Sequence, residues 1–302
     1  MGRRVPDVLF IGHYKAGSTM LRAYFDLHPE IVWTRQAQYF LFAEMMDKGL
    51  PYPPSVPENT EGKCFIDMFE AVAVGYVFEP GYEWARVGFT PGVPIDDSIV
   101  KPDTVAMATR IHSKAPDTKI LLVLRNQIDW LRSAYLHQIF HLPPTARSFT
   151  DFINTLEGKC NVYAGLYHLI IASYYDVFGR DRVKVMLLED FAADLTGSLR
   201  GLCSFLGVDY IDAPPERERW NRGRGVPEGL LFAHLSRYGF PDAWGKRIAS
   251  SMCRLPYVAT LLARRDVISA DEKAMLHGFY AVSNYHTKQL TGLDLAGHGY
   301  IF

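Results

Sequence analysis

Residues 7–28 read DVLFIGHYKAGSTMLRAYFDLH, and the reading of this stretch decides the fold. Val8, Leu9, Phe10 and Ile11 form a short apolar run rich in strand formers, which predicts a buried strand. Gly12 ends it. From Ser18 onward Met20, Leu21, Tyr24, Phe25 and Leu27 recur at helical spacing, which predicts a helix. The unit is therefore strand, glycine-bounded loop, helix. Gly12 and Gly17 permit backbone angles and a close approach that a side chain would block. The unpaired N–H groups of the first helical turn point into the loop, with the positive end of the helix dipole behind them. Such an arrangement is an anion site suited to a phosphate. Lys15 adds a full charge, Ser18 and Thr19 add hydroxyl donors, and the main chain of Ala16, Gly17, Ser18 and Thr19 supplies N–H groups.

The spelling of the loop departs from that of nucleoside triphosphatases, G-x-x-x-x-G-K-[ST]. The glycine spacing survives as Gly12 and Gly17, but Ser18 stands where the lysine belongs, and the lysine lies inside the loop at Lys15. A lysine after the second glycine reaches the β and γ phosphates. A lysine two residues before it lies alongside the first phosphate and whatever that phosphate carries.

The other strong strand is Lys119-Ile120-Leu121-Leu122-Val123-Leu124, continuous and branched as buried parallel strands are. Strands alternating with helices predict parallel βαβ units: an α/β fold of three layers, a parallel sheet flanked by helices. Ligands of such sheets sit at the carboxyl ends of the strands. The run ends at Arg125, and Ser133 lies two turns into the predicted helix that follows. An arginine fork with a hydroxyl suits a terminal phosphate monoester. Two anion sites on one sheet imply a nucleotide with two separate phosphates. No acidic magnesium ligand stands close to either site in sequence, which weighs against a kinase.

Composition sets outer bounds. The chain has 302 residues, hydrophobic content of 48% and a net charge of −1, which supports a sizeable core and gives no reason to expect nucleic acid. Cys64, Cys160, Cys203 and Cys253 have neither disulfide-framework nor metal spacing, so reduced thiols and a cytoplasmic setting are expected, with no metal site. No apolar run approaches the length of a membrane span. Helices are expected at 39–47, from Asp103 to Lys114 and over 161–178. Proline and aromatic residues interleave from about 49 to 100, as in loops that contact substrate, and Phe65 to Val77 is expected to be partly helical. A second variable segment spans about 225–265. No linker divides residues 1–302, so a single domain with these two insertions is expected.

These residues resemble a family. The chain is similar to sulfotransferases that use 3′-phosphoadenosine-5′-phosphosulfate (PAPS), and more to the heparan-sulfate-type and bacterial carbohydrate branch than to the steroid and phenol branch. Gly12 through Thr19 resembles the family's 5′-phosphosulfate loop, and Arg125 through Tyr135 its 3′-phosphate motif, R-x-P-x-x-R-x-x-S-x-Y. Gly165-x-Tyr167, Glu189-Asp190-Phe191, Phe205-Leu206-Gly207 and the stretch from Tyr280 to Leu293 resemble its later landmarks. The resemblance implies a P-loop-like sulfotransferase fold and in-line transfer of a sulfuryl group to a hydroxyl, less readily an amine, of a carbohydrate or small natural product, without metal. It implies that Lys15 stabilises charge on the bridging oxygen, that Ala16 to Thr19 hold the 5′-phosphate, and that Arg125 and Ser133 hold the 3′-phosphate. Arg222 and Arg224, in a glycine-rich loop, are candidates to close over the donor.

Three departures stand out. Gln127 and Trp130 replace the proline and second arginine of the 3′-phosphate motif. Val87-Gly88-Phe89-Thr90-Pro91 resembles the family's G-E-x-[ST]-P stretch, with Phe89 at the acidic position. Arg35-Gln36 stands where the carbohydrate branch has Lys-Glu, and glutamine cannot act as a general base. His13, inside the loop, is the preferred substitute; His112, His137, His141, Asp67 and Glu70 are further candidates. Two other functions stay open: a nucleoside or sugar kinase with an altered loop, and a catalytically degenerate nucleotide-binding protein. The acceptor and the oligomeric state are not legible.

Overall fold

The computed structural model describes residues 5–13, 15–34, 62–68, 97–139, 148–212, 226–237, 239, 241–254 and 266–302. The expected helix at 39–47, the Val87–Pro91 stretch, and Arg35, Gln36, Glu70, His141, Arg222 and Arg224 lie outside these residues.

Five parallel strands form the sheet, in the order β2-β3-β1-β4-β5. They are β1 (Val8–Phe10), β2 (Ile31–Thr34), β3 (Cys64–Met68), β4 (Lys119–Leu124) and β5 (Val183–Leu187). Side chains alternate across the pleat. On one face Leu9, Ile11, Ile120, Leu122, Leu124, Val183, Val185 and Leu187 join one core cluster. On the other, Val8, Phe10, Leu121, Val123 and Met186 join a second.

Helices cover both faces, giving the expected three layers. Helix α1 (Ser18–Phe25) lies on the second face through Met20, Leu21, Tyr24 and Phe25. Helices α2 (Asp97–Lys114), α3 (Gln127–Gln138), α4 (Phe149–Asn154), α5 (Leu156–Ala164) and α6 (Tyr167–Phe178) follow. Trp130, Leu131, Tyr167, Ile171 and Tyr174 of α3 and α6 fill the first cluster. After β5 come α7 (Leu188–Ala193) and α8 (Leu195–Leu206), and Leu199, Leu202 and Cys203 return to the face of α1. Helices α9 (Val226–Arg237) and α10 (Asp242–Met252) pack on each other. Helix α11 (Ala270–Thr291) opens with a reciprocal cap, Ser269 to the Glu272 N–H and Glu272 back to the Ser269 N–H, and stops at Gly292 with φ 72°.

Three local expectations are corrected. Residues 64–68, expected within a proline-rich insertion and partly helical, form β3, between β1 and β2. Cys64, Phe65 and Ile66 are strand formers, and pairing on both sides overrides the helical pattern read across Asp67. The helix expected over 161–178 is two helices, α5 and α6, broken at Gly165-Leu166. A Cβ on Gly165 would meet the Tyr280 ring at 2.7 Å, so the break brings the backbone against α11. Helix α2 begins at Asp97, not at Asp103. The four cysteines are free thiols.

Candidate functional site

After β1 the chain turns towards the β2 side of the sheet, and after β4 towards β5. The carboxyl ends of β1 and β4 therefore flank the crevice where open α/β sheets bind ligands. Three strand tips meet there.

The first tip is the loop after β1. Ile11 still donates its N–H to the Leu121 carbonyl of β4 at 2.9 Å, so the loop leaves the sheet at Gly12. A Cβ at Gly12 would lie 2.6 Å from the Phe10 ring and 3.3 Å from the Val123 nitrogen. Gly17, at φ 93°, is the N-cap of α1, and no side chain caps that helix end. A Cβ at Gly17 would meet Leu188 Cδ1 at 2.6 Å, which places the start of α7 against the loop. Lys15 has φ 66°, the one non-glycine residue at positive φ among the described residues. That conformation costs about 1–3 kcal/mol and concentrates at functional sites.

The second tip carries Arg125. Its guanidinium NH1 donates to the Lys15 carbonyl at 3.0 Å. A hydrogen bond from a charged donor contributes about 1.5–3 kcal/mol, enough to offset the strain at Lys15. Among the described residues the other guanidinium nitrogens take no hydrogen bond. The Arg125 carbonyl in turn accepts the Tyr167 hydroxyl at 2.6 Å. Asn126 caps α3, its side chain accepting the Ile128 N–H at 3.1 Å. Ser133 is half-buried and two turns further along α3, on the side of Asn126.

The third tip, after β5, brings Glu189, whose Oε1 accepts the Asn126 N–H at 2.7 Å. Burial raises the Glu189 carboxyl above its ordinary range, while this N–H and the nearby Arg125 charge pull it back.

The residues read from sequence thus fall into three groups. Lys15, Ala16, Gly17, Ser18, Thr19 and Arg125 come together at one crevice, with Ser133 along α3. Gln36, Arg222 and Arg224 lie outside the described residues. His13 is placed differently from expectation. It is 1% exposed beneath the loop, with its ring centroid 4.8 Å from Trp130 and 5.0 Å from Tyr167. Neither ring nitrogen has a hydrogen-bond partner among the described residues. Burial lowers the imidazole to about 3, so it is neutral near pH 7. An imidazole closed in by two aromatic rings packs the loop from below and is not presented to an acceptor, so the expected role of His13 as proton acceptor does not fit this geometry. Of the other histidines, His112 packs on Phe178 and His137 is exposed on α3. Asp67 is buried in β3.

Both departures in the 3′-phosphate motif have a packing reason. Trp130 is fully buried against His13. Gln127 is buried and donates its Nε2 to the Gly165 carbonyl at 3.3 Å and to Asn284 Oδ1 at 2.5 Å. Sequence reasoning missed Asn126, Glu189 as its partner, and the Tyr167 hydroxyl. Asn126 left a local signal, an N-cap residue directly before an apolar helix; Tyr167 and Glu189 stood within the later landmarks of the resemblance, with no partner assigned.

The crevice fits a nucleotide with two anionic groups. Glycines hold space at Gly12 and Gly17, α1 lacks a side-chain cap, and Arg125 has donors to spare. A cavity of about 450 Å³ lined by Asp7, Glu30, Lys63 and Lys119 lies at the opposite, amino end of the sheet and includes none of these residues.

Comparison with known proteins shows the family and the fold. A profile described as the sulfotransferase family matches residues 6–212. The mouse (Mus musculus) heparan sulfate glucosamine 3-O-sulfotransferase 6 is 22% identical over 298 residues, 97% of this chain and 73% of that protein. A Caenorhabditis briggsae bifunctional heparan sulfate N-deacetylase/N-sulfotransferase 1 is 25% identical over 152 residues, 48% of this chain and 15% of that protein. The crystal structure of a sulfotransferase from Alicyclobacillus acidocaldarius superposes with a TM-score of 0.60 at 20% identity, covering 98% of this chain and 99% of that one.

Proposed function

Because the chain belongs to the sulfotransferase family, we propose that it transfers a sulfuryl group from PAPS to a hydroxyl of a carbohydrate. The observation that carries this reading is the reach of Arg125 from β4 to the Lys15 carbonyl, which joins two anion-binding tips into one site. The donor supplies the activated sulfuryl group. Main-chain N–H groups at the start of α1, with Ser18 and Thr19, hold its 5′-phosphate. The unused Arg125 nitrogens and Ser133 hold its 3′-phosphate. Lys15, held by its own carbonyl, directs its ammonium to the oxygen on which charge develops. The kinase reading is not favoured, because the matching family and relatives are sulfotransferases. The carbohydrate acceptor is taken from relatives named for heparan sulfate.

The test incubates the protein with radiolabelled PAPS and a panel of hydroxylated acceptors that includes heparan-type oligosaccharides. Sulfated product together with adenosine 3′,5′-bisphosphate is expected. No product and no binding of the bisphosphate would overturn the proposal. Gln36→Glu, which restores a carboxylate at the position of the family's base, separates the remaining reading: tight bisphosphate binding with no turnover before or after this change marks a binding protein.

A further inference from the structure

We infer that the closing segment of the chain, from Leu293 to Phe302, is a positioning clamp on the donor site, with Asn126 as the residue it grips. The inference rests on the donor reading above and adds residues to that site.

Asn126 has every hydrogen-bonding group engaged. Its N–H goes to Glu189, its Oδ1 caps α3, and its carbonyl accepts the Trp130 N–H at 2.8 Å. Its remaining group, Nδ2, donates to the Gly299 carbonyl at 3.2 Å. Gly299 has φ 75°, a turn conformation suited to glycine, and it presents that carbonyl to the β4 tip.

The segment is itself fixed at several points. Leu295 and Tyr300 are buried in the first core cluster. His298 Nε2 lies 2.7 Å from Asp190 Oδ1, which ties the segment to the β5 tip. Asn284 Nδ2 donates to the Ile301 carbonyl at 2.8 Å, and the same amide's Oδ1 receives Gln127 from α3. Burial holds the Tyr300 hydroxyl well above its ordinary range, so it stays neutral.

Arg125 is thereby held on the carboxyl side of its own Cα at two successive points, by Tyr167 at its carbonyl and by the Asn126 amide network one residue on. A long arginine on a loose turn samples many rotamers. Fixing the backbone at its root limits where the guanidinium goes, and with it the Lys15 carbonyl that the guanidinium holds. The segment needs no contact with the nucleotide to do this. The guanidinium is the charged donor assigned to the 3′-phosphate, so loss of the grip should be read there before anywhere else.

The test compares adenosine 3′,5′-bisphosphate with adenosine 5′-monophosphate, which lacks the 3′ group, by titration calorimetry on the full chain. Two variants are used, Asn126→Ala from the gripped side and His298→Ala from the segment, with thermal unfolding measured in parallel. Both are expected to lower bisphosphate affinity about tenfold or more, the size of one lost hydrogen bond to a charged group, while leaving monophosphate affinity near that of the parent. A fall of equal size for both nucleotides, or a change in melting temperature alone, would overturn the clamp and make the contacts simply structural. If Asn126→Ala does not fold, His298→Ala, with its partly exposed side chain, decides. If the unsubstituted chain binds neither nucleotide, the donor reading falls and the clamp with it. If it binds the bisphosphate and neither variant changes the ratio, the clamp alone falls.

Discussion

The tips of β1 and β4 stand side by side and are built by opposite means. The loop after β1 is shaped by its own backbone: Lys15 at φ 66°, Gly17 at φ 93°, and a helix end without a side-chain cap. The turn after β4 keeps ordinary angles and is shaped by partners from elsewhere, namely Tyr167, Glu189 and Gly299. The first ends in the main-chain N–H groups of a helix start that no side chain caps, with Lys15 in the same loop. The second uses its main chain for structure and leaves one long cation to do the binding. The bond from Arg125 to the Lys15 carbonyl joins them.

That contrast can be broken at several points. The largest effect is expected at Lys15. Lys15→Ala should lower kcat about 10²–10³-fold, about 3–4 kcal/mol, because in the proposed reaction its charge acts on the transition state; turnover near the parent value under saturating donor would remove it from that role. Next is the packing beneath the first tip. The folded His13 pKa, about 3, lies below the ordinary 6.5, so the unfolded chain takes up this proton first. Stability is full above pH 6.5 and falls as pH drops towards about 3. Between about pH 7 and pH 5 the loss is about 2 kcal/mol. Urea unfolding at the two pH values should show this loss in the parent and not in His13→Gln; an identical loss in both would mean that the imidazole is not buried neutral.

Smaller changes sharpen the comparison. Gly17→Ala should cost about 1–2 kcal/mol of stability, since an L-residue is strained at that φ, and should weaken bisphosphate binding; urea unfolding and calorimetry read the two. Tyr167→Phe removes one hydrogen bond from the second tip and should cost about 1 kcal/mol without altering the loop. A stability loss at Gly17 no larger than that at Tyr167 would mean that the first tip is not held by its backbone.

The two tips also differ in how far the sequence reveals them. The first is written locally: two glycines, a lysine, two hydroxyls and the onset of a helical period within one short stretch. Arg125 and Ser133 are legible for the same reason, as a strand followed by a helix. What fixes the second tip is not local. Glu189 and Gly299 are far along the chain from Asn126, and nothing in their own surroundings marks them as its partners. Tyr167 reaches the site because α5 and α6 break at Gly165, a break set by the Tyr280 ring of a distant helix. β3 was hidden by its shortness and by Asp67 within an apolar run, and only its two neighbours in the sheet make it a strand. The placement of His13 was misread because membership of the loop says nothing about which side of the loop a ring takes.

β1 has one further consequence, in the order of events as the chain is made. It pairs only with β3 and β4, and both lie later in the sequence. Ribosomes add roughly 5–20 residues per second, so Phe10 precedes Leu124 by on the order of ten seconds. For that interval Val8-Leu9-Phe10-Ile11 has neither sheet neighbour, and the loop that follows has no Arg125 to brace it. The stretch that defines the protein is thus made before the strands that give it its working shape. Until β4 arrives, its apolar strand is unpaired surface of the kind that makes incomplete chains prone to aggregate.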